Sequence, residues 1–378
     1  MRLVAVQYAG EVFSHDNVAS RYTLLIGAGD LKDDVARASQ TALYAAVKKA
    51  NNPDVHKRKK ETDLGPILPD FMDMIVIILD KSSIRVKSSF KVVVGDTVLP
   101  FSVAVGAQIC DYVRLCLWNS TGVLPSREML EDPMTESSKV GKYLRQITAE
   151  NGKKKDLIVR FIELVERLLK ASAGMSPALA LLHFIGAGPD DIARRFEKKM
   201  EWFKFLLNNT REDFRETISA IYGLVSAVLS PQDFEKAIGD LTRSMKEKQL
   251  EFQHGAILSL GYSFGRRLLL ARMKNPDEEF QEWGSFVLNT KMIMTNLDNS
   301  HNMILSAACL ALAELGKSGP LPLEDKSEVE DDPNTKLFLV NKLMAMVKSG
   351  KNNMKVRERA ALAAGSLCLG DKNFPHRR

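Results

Sequence analysis

In Lys355-Val356-Arg357-Glu358-Arg359-Ala360-Ala361-Leu362-Ala363-Ala364-Gly365, Val356 is followed four residues later by a small residue, eight later by an apolar one and nine later by glycine. Counting Val356 as position 0, the pattern recurs at four other places. Phe252 leads to Ala256, Leu260 and Gly261; Ile304 to Ala308, Leu312 and Ala313; Phe214 to Ile218, larger than the pattern asks, Tyr222 and Gly223; Met1 to Ala5, Ala9 and Gly10. A weaker copy begins at Val35, with Ser39, Leu43 and Tyr44. Positions 0, 4 and 8 fall on one face of a 3.6-residue helix and form a buried stripe. Small residues at positions 4 and 9 let a neighbouring helix approach closely, as the inner helix of a stacked helix pair requires.

Successive copies lie 34, 179, 38, 52 and 52 residues apart. The first and third spacings sit near the HEAT or armadillo period of roughly 40 residues, and the 52s imply loop insertions. The gap of 179 residues has room for about four drifted units at that period. Partner helices are readable over Phe234 to Lys246, Phe280 to Asn296 and Lys336 to Lys348. Ser230-Pro231-Gln232-Asp233 supplies a serine N-cap, a proline at the first helical position and an early carboxylate. Gly186-Ala187-Gly188-Pro189-Asp190-Asp191 ends one helix and starts the next. The expected fold is therefore all-α, a HEAT/armadillo-like α-solenoid over residues 1–378. Three interruptions are expected: a basic loop at 51–64, an irregular or extended insertion around 82–98, rich in Val and Ile, and an acidic loop at 319–333. Neither end carries the polar capping repeat a solenoid needs. The sequence reads as an interior piece of a longer array, and as aggregation-prone when expressed alone.

Composition agrees. Lys plus Arg number 53 against 47 Asp plus Glu, a formal net charge of +6, and hydrophobic residues make up 45%. Mean hydropathy is −0.13. Bulk disorder is excluded, and so balanced a surface does not point to nucleic acid. No apolar run matches a secretory signal or a membrane-spanning helix. The four cysteines, Cys110, Cys116, Cys309 and Cys368, read as reduced thiols in a cytoplasmic or nuclear protein.

Several residues invite chemistry. Gly261-Tyr262-Ser263-Phe264-Gly265 matches the nucleophile elbow of serine hydrolases, which makes Ser263 the alternative catalytic residue. The context opposes it: Gly261 is position 9 of the repeat, and no alternation of strands and helices builds the sheet an elbow crowns. Cys110 and Cys116 are too widely spaced for a zinc pair and read as core. His183 and His254 read as hydrogen-bonded interior residues. No phosphate loop is present, and no cofactor or metal is expected. His56-Lys57-Arg58-Lys59-Lys60 is a nuclear-localisation pattern or a solvating loop; the acidic run from Glu324 to Asp332 reads as a solvated insertion.

Particular residues carry a resemblance. Gln253-His254-Gly255-Ala256 with Leu260-Gly261, Ala307-Ala308-Cys309 leading through Gly316 to Gly319-Pro320-Leu321-Pro322-Leu323, Glu358-Arg359-Ala360, and Gly370-Asp371 with Phe374-Pro375-His376 are similar to the proteasome adapter and scaffold family, large HEAT-repeat proteins that associate with the 26S proteasome. Ser20-Arg21-Tyr22 with Ala28-Gly29-Asp30, and Thr97 to Phe101 before Tyr112 to Leu117, resemble it in the same order. The resemblance implies a central slice of a much longer, non-enzymatic protein-protein scaffold whose partners are proteasome regulatory and core particle subunits. It offers no catalytic or partner-binding residue to place here. A nuclear-transport receptor or another HEAT scaffold is the alternative within the same fold.

Overall fold

A computed structural model of the chain describes residues 1–50, 52, 67–83, 92–94, 97–122, 138–149, 152–274, 280–324 and 332–371. The described residues form helices almost throughout. They run α1 (Arg2–Glu11), α2 (Val18–Ala28), α3 (Asp33–Leu43), α4 (Ala45–Ala50), α5 (Phe71–Ser83), α6 (Val103–Ser120), α7 (Lys139–Ala149), α8 (Lys153–Ser172), α9 (Met175–Ala187) and α10 (Asp190–Arg194). There follow α11 (Met200–Leu206), α12 (Glu212–Ser226), α13 (Pro231–Ser244), α14 (Leu250–Lys274), α15 (Trp283–Thr295), α16 (Asn302–Ser318), α17 (Lys336–Lys348) and α18 (Met354–Gly370). The contacts divide the chain into two compact units, Met1–Ile192 and Ala193–Arg378.

Local chemistry sets the helix boundaries. Ser230 accepts from the Asp233 amide, with Pro231 at the start of α13. The Thr335 side chain accepts from Phe338 at α17, and Asn353 from Val356 at α18. Each cap satisfies a donor that the first turn leaves open, worth about 1 kcal/mol. The expected helix Lys336 to Lys348 is α17 to the residue, and the Gly186 to Asp191 break falls between α9 and α10.

In the first unit, α1 packs on α2 and α3, α2 on α3, α5 and α6, and α9 on α6, α7 and α8. Phe184 stacks on Phe71 at 6.0 Å and meets Phe161 edge-on at 5.6 Å. The second unit repeats one step. Helices α12, α14, α16 and α18 lie against each other in that order, with α13, α15 and α17 packed alongside α14, α16 and α18 respectively. Phe264 is fully buried between Phe234 at 5.4 Å and Phe286 at 5.6 Å, a burial worth about 1.5–3 kcal/mol over exposure.

Position 9 explains the stack. A Cβ on Gly223 would come 2.3 Å from that of Tyr262 on α14, and one on Gly261 would come 2.6 Å from the Ala311 Cα on α16. A glycine inside a helix costs about 1 kcal/mol relative to alanine. Here that loss is offset by bringing two helix backbones into contact.

The expected insertions resolve in part. Ser82 and Ser83 close α5, their hydroxyls donating to the carbonyls of Leu79 and Asp80, so the extended stretch begins after them. Within it, Val92–Val94 (β1) pairs antiparallel with Thr97–Leu99 (β2), Val93 opposite Val98. The basic loop, Lys57 to Lys60 included, lies outside the described residues apart from Asn52. The acidic loop is described only at its two ends, where the Glu324 amide donates to Asn334 O and its carbonyl accepts from the Lys336 amide at 2.8 Å.

Candidate functional site

Ser263 is not a nucleophile at an elbow. It lies in the middle of the continuous helix α14, fully buried, and its hydroxyl accepts a hydrogen bond from the Ser226 hydroxyl at 2.8 Å. The glycines that mimic the elbow are helix-contact positions: Gly261 faces Ala311, and Gly265 faces the Glu314 carbonyl. Cys110 and Cys116 are fully buried on α6, and burial pushes both thiols up, away from the reactive thiolate. The Cys309 thiol is pushed up to about 12, again by burial.

The histidines share an arrangement that the sequence does not advertise. Arg114 Nε donates to His183 Nδ1 at 2.8 Å, and Arg215 Nε donates to His254 Nδ1 at 3.3 Å. His15 Nδ1 lies 3.3 Å from Arg21 Nη1. An arginine N–H can only donate, so each Nδ1 must accept and a neutral ring carries its proton on Nε2. Burial, then the neighbouring arginine, holds His183 well below the usual histidine range. Burial and Arg215 also lower His254, against an opposing pull from Glu212.

His254 belongs to a cluster of charged side chains from α12, α14 and α18. Its Nε2 faces Glu212 Oε1 at 3.4 Å. Lys355 Nζ sits 2.9 Å from Oε1 of both Glu212 and Glu216, and Arg359 Nη2 lies 2.7 Å from Glu216 Oε1. Arg215 is buried and also donates to the carbonyls of Asn209 at 2.6 Å and Thr210 at 3.0 Å. The hydrogen bond from His254, with Lys355 next, holds the Glu212 carboxyl down at about 2.

Glu212, Glu216 and His254 could be read as three ligands for a metal, since their donor atoms lie within 4.8 Å of one another. The chemistry argues otherwise. Nε2 carries the proton and has no lone pair to offer, while Lys355 and Arg359 already neutralise the two carboxylates. The cluster is an ion-pair clasp. It joins α12 to α18, more than 130 residues apart in the sequence.

We expect Glu216→Gln, which keeps the shape and removes the charge, to cost about 1–2 kcal/mol, with the loss shrinking in high salt because the groups are partly exposed. Urea unfolding at low and at 1 M salt measures it; an unchanged midpoint at low salt would show that the clasp contributes nothing.

Sequence reasoning missed this clasp, although a signal was present. Glu216 and His254 both stand at position 2 of their repeats and Arg359 at position 3. Parallel stacked helices bring equal positions to one level. A wide cleft elsewhere in the second unit, between the start of α13 and the end of α14, has its central charges committed: Arg267 donates to the carbonyls of Ala227 and Leu229 and to Glu282 at 2.7 Å.

The family described as ECM29, ARM-like repeats, matches residues 120–315, more than half of the chain. The chain belongs to the ECM29 family. The human protein named proteasome adapter and scaffold protein ECM29 is 31% identical over 397 aligned residues, covering 100% of this chain and 21% of the relative. A Drosophila melanogaster relative named proteasome-associated protein ECM29 homolog is 28% identical over 329 residues, 81% of this chain and 17% of its own. This ECM29-family chain thus spans about a fifth of the length of these curated relatives. Among solved structures, a Kap121p mutant aligns over 96% of this chain and 31% of its own at 11% identity and TM-score 0.38. Kap121p bound to RanGTP aligns over 98% and 41% at 10% identity and TM-score 0.36. Likenesses that low carry no argument. The all-α, ARM-like assignment rests on the family match and on the helix stack itself.

Proposed function

We propose that this chain is a segment of a non-enzymatic scaffold that binds the 26S proteasome through protein-protein contacts with its regulatory and core particle subunits. The observation that carries the reading is the 31% identity to the human proteasome adapter and scaffold protein along 100% of this chain. The architecture supports it physically. Stacked helices bury their apolar stripes against one another and present long faces of fixed side chains. Such faces suit a binding surface, and the one motif that suggested turnover, Ser263, is sealed inside a helix stack. Among the described residues no helix is long and apolar enough to cross a membrane. As a proteasome adapter the scaffold would act in the cytoplasm, with the nucleus as a second location.

The gene product that carries this chain, tagged and captured under conditions that preserve proteasomes, will bring regulatory and core particle subunits with it. Capture without them, alongside intact proteasomes in a positive control, overturns the reading. A fluorophosphonate probe will not label the protein. Labelling that vanishes in Ser263→Ala would restore the hydrolase.

A further inference from the structure

The clasp ties the first inner helix of the second unit to the fourth. Helices α12, α14, α16 and α18 pack in that order, each on the next. Packed helices stand about 8–10 Å apart, so a straight row of four would hold α12 and α18 about 24–30 Å from each other. That is beyond the reach of two side chains. Yet Glu216 Oε1 on α12 lies 2.7 Å from Arg359 Nη2 and 2.9 Å from Lys355 Nζ, both on α18. At this level the row turns back on itself.

All four helices supply a group at the same end. Glu212, Arg215 and Glu216 come from the first two turns of α12, His254 from the second turn of α14, Met303 from the first turn of α16, and Lys355 and Arg359 from the first two turns of α18. Arg215 links three of these helices, its Nε donating to His254 Nδ1 at 3.3 Å and its Nη2 to Met303 Sδ at 3.0 Å. Further along, the helices meet in another way. Gly223 admits Tyr262, Gly261 admits Ala311 and Gly316 admits Leu367, each a close backbone step between neighbours.

The two kinds of contact respond differently to separation. Parting two neighbours would empty a close-packed notch, which a folded core resists. Parting α12 from α18 returns charges to water, and these helices share little packing besides the clasp. The side chains of Lys355 and Glu212 are already 40% and 33% exposed, so opening exchanges ion pairs for hydration at nearly balanced free energy. The notches can stay filled in both arrangements.

We propose that the clasp is a latch on the shape of the second unit: engaged, it draws the N-terminal ends of α12 and α18 together, and released, it lets them spread while every neighbour contact stays packed. Counterions compete for its exposed members, so ionic strength sets its state. The latch depends on this unit alone, whichever partner the scaffold binds.

Thr210 and Glu358 are exposed positions beside the clasp and outside it. Nitroxide labels on Thr210→Cys and Glu358→Cys, in the full chain with Cys368→Ser, report the spacing by double electron-electron resonance; the other three cysteines are buried. The labelled parent will give one short distance. Glu216→Lys replaces attraction by repulsion and will lengthen the mean by about one helix spacing, 8–10 Å, with helical circular dichroism unchanged. Salt at 1 M, where the screening length falls to about 3 Å, will shift the parent in the same direction. Adding Arg359→Glu to Glu216→Lys restores an opposite pair and will restore the short distance. A distance unmoved by Glu216→Lys or by salt overturns the proposal. So does a double variant that stays long, or a loss of helix in place of lengthening, which would make the clasp part of the folded core.

Discussion

Gly261→Val will lower the unfolding free energy of the second unit by about 3 kcal/mol, the upper end of what overpacking costs in a close-packed core. The first added carbon alone would stand 2.6 Å from the Ala311 Cα and 2.9 Å from its carbonyl oxygen. Those atoms belong to the backbone of α16 and cannot rotate aside as a side chain could. Relief requires the two helices to separate, and separation opens the surroundings of Ala308, Leu312 and Phe264, all fully buried. Gly365→Val is the control. It changes the same repeat position where nothing lies within 4 Å, so the better helix propensity of valine leaves stability unchanged or raised by a few tenths of a kcal/mol. Urea unfolding followed by circular dichroism compares the two. Equal midpoints would refute the close-approach role of position 9.

Acidification will destabilise both units, beginning below pH 6.5. His183 in the first unit and His254 in the second have folded pKa values lowered from the ordinary 6.5. A lowered histidine means that the unfolded chain binds the proton more readily. Stability is therefore complete above the unfolded value and is lost as pH falls below it, by up to about 1.4 kcal/mol per pH unit for each histidine. Groups around His183 are Arg114, which donates to it and is itself 3.6 Å from Asp111. Around His254 stand Arg215, Glu212, Glu216 and Lys355. Protonating Nδ1 of either ring destroys the acceptor and sets two cations face to face.

A second loss follows at lower pH, where Glu212, lowered from 4.5 to about 2, is protonated in the unfolded chain first. Asparagine places its carbonyl oxygen near the Nδ1 position and does not titrate. His183→Asn and His254→Asn will thus each remove part of the slope between pH 6.5 and 5. Denaturation midpoints that stay level over that range in the parent protein would show that the arginine-histidine pairs do not control stability.

The repeats were legible because helix faces are a local property. Val356, Ala360 and Ala364 lie on one side of a helix whatever surrounds them, and Ser230, Pro231 and Asn353 stop or start helices with groups a few residues away. The same locality exposed the false elbow: Gly261 and Gly265 fit the hydrolase pattern and the repeat equally well as letters, and the repeat was the longer-range consistency. The clasp of Glu212, Glu216, His254, Lys355 and Arg359 was not legible residue by residue. Charges at exposed-looking positions on separate helices carry no mark of one another until the stack brings those helices together. Buried Arg21 and Arg215 escaped notice for a related reason, since the carbonyls and histidine nitrogens that satisfy them are distributed over several elements.

The amino-acid sequence by itself determined the all-α class, the helices and which stripe of each is apolar, since 3.6-residue periodicity and capping act within a turn or two of their own residues. Tertiary structure alone decided which helix fills which glycine notch and which charges meet across more than a hundred residues. Those outcomes depend on where a packed neighbour places its atoms, and no single helix contains that information.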